Sequence, residues 1–127
     1  MIRRPALWLA AGLAVLAASP LQAGSAHDEA IRSAFQEVLG RDPAPAEIST
    51  YRARMMDAGW SRRQVVRALH RSDEYIVPAI GRVFRETLGR EPNEEEIELY
   101  HRRVKERGWT YAQIRRALRR TDEGRRR

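Results

Sequence analysis

Apolar residues recur along the chain at the three-to-four-residue spacing that is typical of helices. Ile31, Phe35 and Leu39 lie at i, i+4 and i+8, which places them on one stripe of a helix. Further along, Tyr51 and Met55 have the same spacing and indicate a second helix. No segment shows sustained alternation of apolar and polar residues, so we expect an all-α protein without strands.

Residues that begin or end helices divide this pattern into three short helices. Gly40 should end the first, because glycine accepts the left-handed turn that follows a helix. Pro45 suits the first position of the second helix, where a missing N–H costs nothing. Ser61 and Gln64 have the spacing of a capping box and should open the third helix. Trp60 precedes that box and can pin the turn to the core.

The whole arrangement returns after 49 residues without a gap. Comparison of residues 30–74 with residues 79–123 gives about 21 identical positions out of 45, and such self-similarity indicates repeated supersecondary units. We therefore predict two tandem three-helix repeats, about six short helices in all, packed as one small domain. The residues that we assign as the repeated scaffold are Phe35, Gly40, Arg41, Pro43, Tyr51, Trp60, Leu69 and Asp73 in the first copy and Phe84, Gly89, Arg90, Pro92, Tyr100, Trp109, Leu118 and Asp122 in the second.

The N-terminal segment has the order of features that is typical of a secretory signal peptide. Arg3 and Arg4 form a positive start, residues 6–18 are uninterruptedly apolar, and small residues follow. Because the apolar run is shorter than the ~20 residues of a spanning helix, we expect cleavage after Ala23 or Ala26 rather than a retained anchor. The mature protein would then be periplasmic or secreted, with no stable membrane span.

These features divide the chain into three parts. Residues 1–26 are the predicted signal peptide, residues 27–77 the first repeat, and residues 78–127 the second repeat with a basic tail. We expect Pro78 to end the preceding turn and start the next helix. A unit of about 49 residues is near the lower size for independent folding, so the two repeats should pack on each other or dimerise.

The chain is strongly basic and contains no cysteine. Its formal net charge is +7, and removal of Arg3 and Arg4 with the predicted leader leaves +5. A basic surplus favours anionic partners such as nucleic acid, phospholipid head groups or acidic envelope polymers. Without disulfides, the exported protein must rely on packing alone.

The most basic part of the sequence is C-terminal. Its arginines recur at i, i+1, i+4 and i+5 on the predicted last helix, so they cover one broad face, and the tail continues the run. A solvated face and a frayed tail are the plainer interpretation. The acidic run in residues 91–98 would suit the positive end of its helix or the basic face of a neighbouring molecule. The candidate anion-binding residues are Arg115, Arg116, Arg119, Arg120, Arg125, Arg126 and Arg127.

Arg41 and Arg90 follow the helix-ending glycines and have two interpretations. The acidic pairs at residues 73–74 and 122–123 can cap or pair with them, which would fix the third helix against the first loop. The alternative is that these arginines grip an anionic ligand. Their presence in both copies favours the structural role.

The sequence offers no set of residues for catalysis or for a cofactor. Glu98 and His101 match half of a di-metal carboxylate motif, but the second pair and the two further glutamates are missing. There is no Gly-rich phosphate loop and no Gly-x-Ser-x-Gly element. We expect a non-enzymatic protein without a metal or other cofactor.

Several repeated elements together form a family pattern. Phe-x-x-x-Leu-Gly-Arg-(Asp/Glu)-Pro, then Tyr, Gly-Trp-(Ser/Thr) and (Ser/Thr)-Asp-Glu-Tyr, resembles the domain of unknown function 4214 family once in each repeat. The last tyrosine is present only as Tyr75, and the Gly and Trp that the family carries in the second helix are absent. The resemblance implies a bacterial helical module that is often appended to surface or secreted proteins. It implies no catalytic residues.

These features favour an exported binding module whose partner is a protein or an anionic polymer of the cell envelope. One alternative is a nucleic-acid-binding protein that uses the Arg-rich last helix, since a basic amphipathic helix after a tight turn resembles a recognition helix. The other alternative is a small subunit of an envelope assembly.

Overall fold

The computed structural model describes residues 20–127, with side chains from residue 26 onward. Within this part of the chain the regular structure is entirely helical and contains no strand. The prediction of an all-α protein is therefore confirmed. The helices are α1 (Pro20–Leu39), α2 (Pro45–Asp57), α3 (Arg62–His70), α4 (Asp73–Leu88), α5 (Glu94–Arg107), α6 (Tyr111–Arg120) and α7 (Asp122–Arg125).

The first three helices, which we call the first trio, enclose an apolar core of their own. α1 packs against both α3 and α2. Phe35 on α1 is fully buried, and its ring meets the ring of Tyr51 edge-on with the centroids 5.7 Å apart. The buried residues of this core are Ile31, Ala34, Phe35, Met55, Val65 and Leu69.

Helices α4, α5 and α6 form the second trio around a separate core. α4 packs against α6 and α5, and the short α7 folds back on α6 and α4. Phe84 and Tyr100 meet edge-on at 5.6 Å, the same contact that their counterparts make 49 residues earlier. The buried residues of this core are Ile76, Ile80, Val83, Phe84, Leu88, Tyr100, Ile114 and Leu118.

The helix ends follow the local signals of the sequence. Gly40 and Gly89 end α1 and α4 with φ values of +65° and +67°, a region that disfavours any residue with a Cβ atom. α2 begins at Pro45. The Ser61 hydroxyl accepts the backbone N–H of Gln64, which completes the predicted capping box, and Thr110 and Gln113 form the equivalent box in the second copy.

Pro78 does not start a helix, and that prediction is wrong. It lies inside α4, which therefore crosses the predicted boundary between the repeats. The helix begins earlier because the Ser72 hydroxyl caps it, accepting the N–H of Tyr75 at 3.3 Å. Near the start of a helix a proline removes a single backbone bond, and burial of Ile76 and Ile80 on either side holds this turn against the core.

The two trios meet at the start of α4, which contacts both α1 and α3. The Tyr75 ring lies between His70 of α3, at a centroid distance of 4.7 Å, and Tyr111 of α6, at 6.3 Å. Arg41 of the first trio pairs with Glu74 on α4 at 2.6 Å. Aromatic and ionic contacts thus join two trios whose buried clusters remain separate.

Most of the predicted signal peptide falls on residues 1–19, which lie outside the described part of the chain. The two expected cleavage positions, after Ala23 and Ala26, are in the first turns of α1. Cleavage there would leave residues 24–39 or 27–39 of that helix. Between residues 20 and 127, no helix combines the length and the apolar character that a membrane crossing requires.

Candidate functional site

Arg41 is fully engaged by neighbouring helices of the protein itself. Its guanidinium donates from Nη1 to Glu47 at 2.8 Å and from Nε to Glu74 at 2.6 Å, and it stacks over the ring of Phe35 at 5.2 Å. The loop after α1 is thereby tied to α2 and to the start of α4. Hydrogen bonds from Arg41 hold the pKa values of both carboxylates below their ordinary range.

Arg90 makes the same contacts in the second trio. It donates to Glu96 at 2.8 Å and to Glu123 at 2.7 Å, and it stacks over Phe84 at 5.5 Å. These hydrogen bonds raise the pKa of Arg90 and lower the pKa values of the two glutamates. Since carboxylates occupy the donors of both arginines, the structure places Arg41 and Arg90 within the scaffold.

The aspartates that precede Glu74 and Glu123 have other neighbours. Asp73 lies 2.6 Å from Nε2 of His101 and 3.5 Å from Nζ of Lys105, so it links the start of α4 to α5. The hydrogen bond with His101 is the main cause that lowers the pKa of Asp73. Within each acidic pair, the glutamate is the member that meets the arginine.

The predicted C-terminal basic face is divided in the structure. Arg115 turns toward α4 and pairs with Glu86 at 3.2 Å. The guanidinium of Arg127 lies against the backbone of Gly89. These two arginines therefore face the body of the protein. Arg119 at the end of α6 and Arg125 and Arg126 in the tail are exposed, as are Arg120 and Arg127.

The remaining two arginines of that face, Arg116 and Arg120, lie one turn apart along a small groove. Its volume is about 170 Å³. The indole of Trp109 forms one wall, and the guanidinium of Arg103 stacks over that ring at 4.5 Å. Groove 2 is defined by Trp109, Gln113, Arg116, Ala117 and Arg120.

A larger groove of about 550 Å³ occupies the equivalent place in the first trio. Each residue of groove 2 has an identical counterpart here, 49 residues earlier. In addition, Lys105 reaches this groove from α5 of the second trio, so both trios contribute to it. Groove 1 is defined by Tyr51, Arg54, Trp60, Gln64, Arg67, Ala68, Arg71, Ser72 and Lys105.

The cations of groove 1 are oriented by aromatic stacking and by helix geometry. The guanidinium of Arg54 lies over the rings of Trp60, at 4.9 Å, and Tyr51, at 5.5 Å. Stacking uses the flat face of the guanidinium and leaves its N–H edge available. Arg67 on α3 and Arg71 at the C-cap of that helix are one turn apart and exposed. Among the described residues, none of these three arginines forms an ion pair with a carboxylate.

The neutral polar groups of groove 1 are already oriented by the capping interactions. Gln64 accepts the Ser61 N–H through Oε1 at 2.7 Å, which leaves its Nε2 group as a donor toward the groove. The Ser72 hydroxyl donates to the carbonyl of Leu69 at 2.6 Å. The lining therefore offers positive charge and hydrogen-bond donors, and an oxyanion is the chemical group that matches both.

The sequence pattern placed the anion-binding surface on the last helix and the C-terminal tail, and it missed groove 1. The missed signal was the identity of exposed arginines between the copies, since solvent-facing positions need no particular residue to keep the fold. Two identical pairs are exposed in both copies, Arg67 with Arg116 and Arg71 with Arg120. Arg54 and Arg103 are also identical, and of these Arg54 is exposed. Lys105 had no such signal, because Met56 stands in its place in the first copy.

Histidine and acidic side chains do not form a metal-binding cluster in the described part of the chain, where no three of them converge. His101 has Asp73 as its acidic neighbour. The half-motif of Glu98 and His101 thus gains no third ligand from the fold.

Comparison with known proteins connects the first trio to one family. A family model described as Domain of unknown function (DUF4214) matches residues 16–77. This segment contains α1 to α3, the start of α4, and all of groove 1 except Lys105. No curated protein and no solved structure matches the chain. Residues 16–77, which carry the Leu-Gly-Arg-Asp-Pro and Ser-Asp-Glu-Tyr motifs, are thus similar to the family of the domain of unknown function DUF4214.

Proposed function

We propose that this protein is an exported, non-enzymatic binding module that recognises an anionic polymer of the cell envelope through groove 1 and groove 2. The observation that carries the proposal is the presence of the same Trp, Gln and two Arg side chains in an equivalent groove of each trio. The residues that hold the fold are identical between the copies for reasons of packing. The groove arginines have no such reason, because they are exposed and unpaired among the described residues.

A polymer fits this arrangement better than a single small anion. Two equivalent sites on one chain can engage successive charged units of the same polymer, and the second contact is then intramolecular. Such a ligand gains avidity without any further contact surface. The predicted leader would bring the module to the compartment where anionic polymers of the envelope occur.

Nucleic acid is the rival ligand, because arginine also suits phosphodiester backbones. The arginines of both grooves lie in concave surfaces beside a tryptophan, whereas a duplex reader presents a protruding helix to the major groove. The Trp60 ring carries the guanidinium of Arg54 on one face, so that face is not open to stacking with a base. Both features favour a flexible, non-nucleotide polyanion.

Loss of the groove arginines should weaken polymer binding. We expect the full chain to bind polyphosphate or polygalacturonate at low ionic strength in isothermal titration calorimetry, with affinity that falls as salt is added. The Arg67→Gln/Arg71→Gln variant should lose about tenfold in affinity, since two charge-assisted contacts are removed. Arg116→Gln/Arg120→Gln should cause a smaller loss.

The matched control is Arg63→Gln/Arg82→Gln, which removes the same charge from exposed positions outside both grooves. Its affinity should stay within about twofold of the unaltered chain. An equal loss in the control would show that net charge alone drives binding. The absence of binding to either polymer at low salt would refute the proposal, and a clear preference for duplex DNA over both would favour the rival.

A further inference from the structure

We propose that groove 1 is a composite site for chains of phosphate groups, built by both trios and completed by Lys105. This inference rests on the proposed function and adds the chemistry of the ligand. It concerns groove 1 specifically, because only this groove receives a cation from the other trio among the described residues.

The positive groups of groove 1 come from three different helices. Arg54 belongs to α2, Arg67 to α3 with Arg71 at its C-cap, and Lys105 to α5. A planar carboxylate has two oxygens in one plane, and a single guanidinium can satisfy them. A phosphate group is tetrahedral and directs its oxygens to several sides. Cations that approach from three helices therefore match phosphate better than carboxylate.

Groove 1 has room for more than one phosphate group. Its volume is about 550 Å³, compared with about 170 Å³ for groove 2. The three unpaired arginines repel one another in the absence of a ligand. A single ligand that carries several negative charges close together relieves this repulsion most effectively. Linked phosphates combine that charge density with the tetrahedral geometry.

Lys105 connects the site to the second trio. Its Nζ lies 3.5 Å from Asp73, an exposed acid at the start of α4, and that contact holds the ammonium near the junction. Since α5 packs on α4 within the second trio, a ligand held by Lys105 and by the arginines of α3 joins the two trios. The position equivalent to Lys105 in the first trio is Met56, so the additional cation is specific to the junction.

The test uses the indole N–H peaks of Trp60 and Trp109 as separate reporters in a proton–nitrogen correlation spectrum of the full chain. Inorganic triphosphate is titrated against citrate at equal ionic strength. We expect the Trp60 peak to shift at lower triphosphate than the Trp109 peak, and citrate to require at least about tenfold higher concentration. Trp60→Phe and Trp109→Phe variants assign the peaks.

Lys105 variants test the composite nature of the site. Lys105→Gln should weaken triphosphate binding at the Trp60 peak by about fivefold, as expected for one partly exposed charge contact, and leave the Trp109 peak unchanged. Lys105→Arg retains the charge and should bind within about twofold of the unaltered chain. Equal losses at both peaks, or no loss with Lys105→Gln, would overturn the composite site.

The outcome also separates this inference from the proposed function. If citrate and triphosphate bind equally well while polygalacturonate binds the full chain, the phosphate preference is wrong and the polymer-binding function stands. If neither small anion nor any polymer moves either indole peak, the phosphate preference and the polymer-binding function are both wrong.

Discussion

Replacement of Phe84 by alanine is expected to destabilise the second trio by about 3–5 kcal/mol, which is the usual cost of truncating a fully buried phenylalanine. Phe84 is completely buried, packs edge-on against Tyr100, and supports the guanidinium of Arg90. Alanine at this position leaves a cavity where the Phe84 ring now lies between Tyr100 and Arg90. For a domain whose total stability is on the order of 5–15 kcal/mol, a loss of this size is large.

Phe35→Ala is the matched variant, because Phe35 has the same burial and the same contacts in the first trio. Thermal unfolding should be followed through the indole N–H peaks of Trp60 and Trp109. Since the two cores are separate, Phe84→Ala should lower the melting temperature reported by Trp109 more than that reported by Trp60. Phe35→Ala should have the opposite effect. If the folded-state peaks of Trp60 and Trp109 disappeared at the same temperature in both variants, the two cores would unfold together, and this expectation would be wrong.

Arg90→Ala is expected to lower the melting temperature of the second trio by several degrees. The substitution removes the donors that Glu96 and Glu123 share, and it leaves the partly buried Glu96 carboxylate facing the half-exposed Glu123 carboxylate. It also removes the hydrogen bond that Nη1 of Arg90 donates to the backbone carbonyl of Glu91, which holds the loop after α4. Circular dichroism during heating measures the change.

Arg85→Ala provides the control for the Arg90 experiment. Arg85 pairs with Glu91 at 2.7 Å, but both side chains are more than half exposed, at 52% and 64%. Exposed pairs contribute little, so its melting temperature should barely change. If Arg90→Ala were as stable as the unaltered chain yet lost affinity for polyanions, Arg90 would belong to a binding surface and its scaffold role would be wrong.

The helices could be predicted from the sequence because their signals are local. The stripe of Ile31 and Phe35, the Gly40 helix end and the Ser61 cap each act within a few residues, so short-range pattern is enough. Pro78 shows where that reasoning fails. Its backbone restriction is local, but the Ser72 cap and the buried face of α4 outweigh it.

The grooves could not be predicted, because they depend on how helices approach one another. Arg54 and Trp60 are only six residues apart in the sequence. Lys105 reaches the same groove only because the second trio lies against the first. The C-terminal arginines show that spacing can also suggest a shared face that the fold divides. Their spacing placed Arg115 and Arg116 on one face. Arg115 is instead drawn away by Glu86 on α4, a long-range partner that spacing does not reveal.

The most direct test of the binding function is a titration of the full chain with polyphosphate at low salt, followed through the indole N–H peaks of Trp60 and Trp109. The two grooves predict that both peaks shift in a saturable manner and return when salt is added. They also predict that Arg67→Gln/Arg71→Gln weakens the response of Trp60 far more than that of Trp109. Saturable binding that leaves both indole peaks in place would show that the polymer is held elsewhere, and would contradict the account.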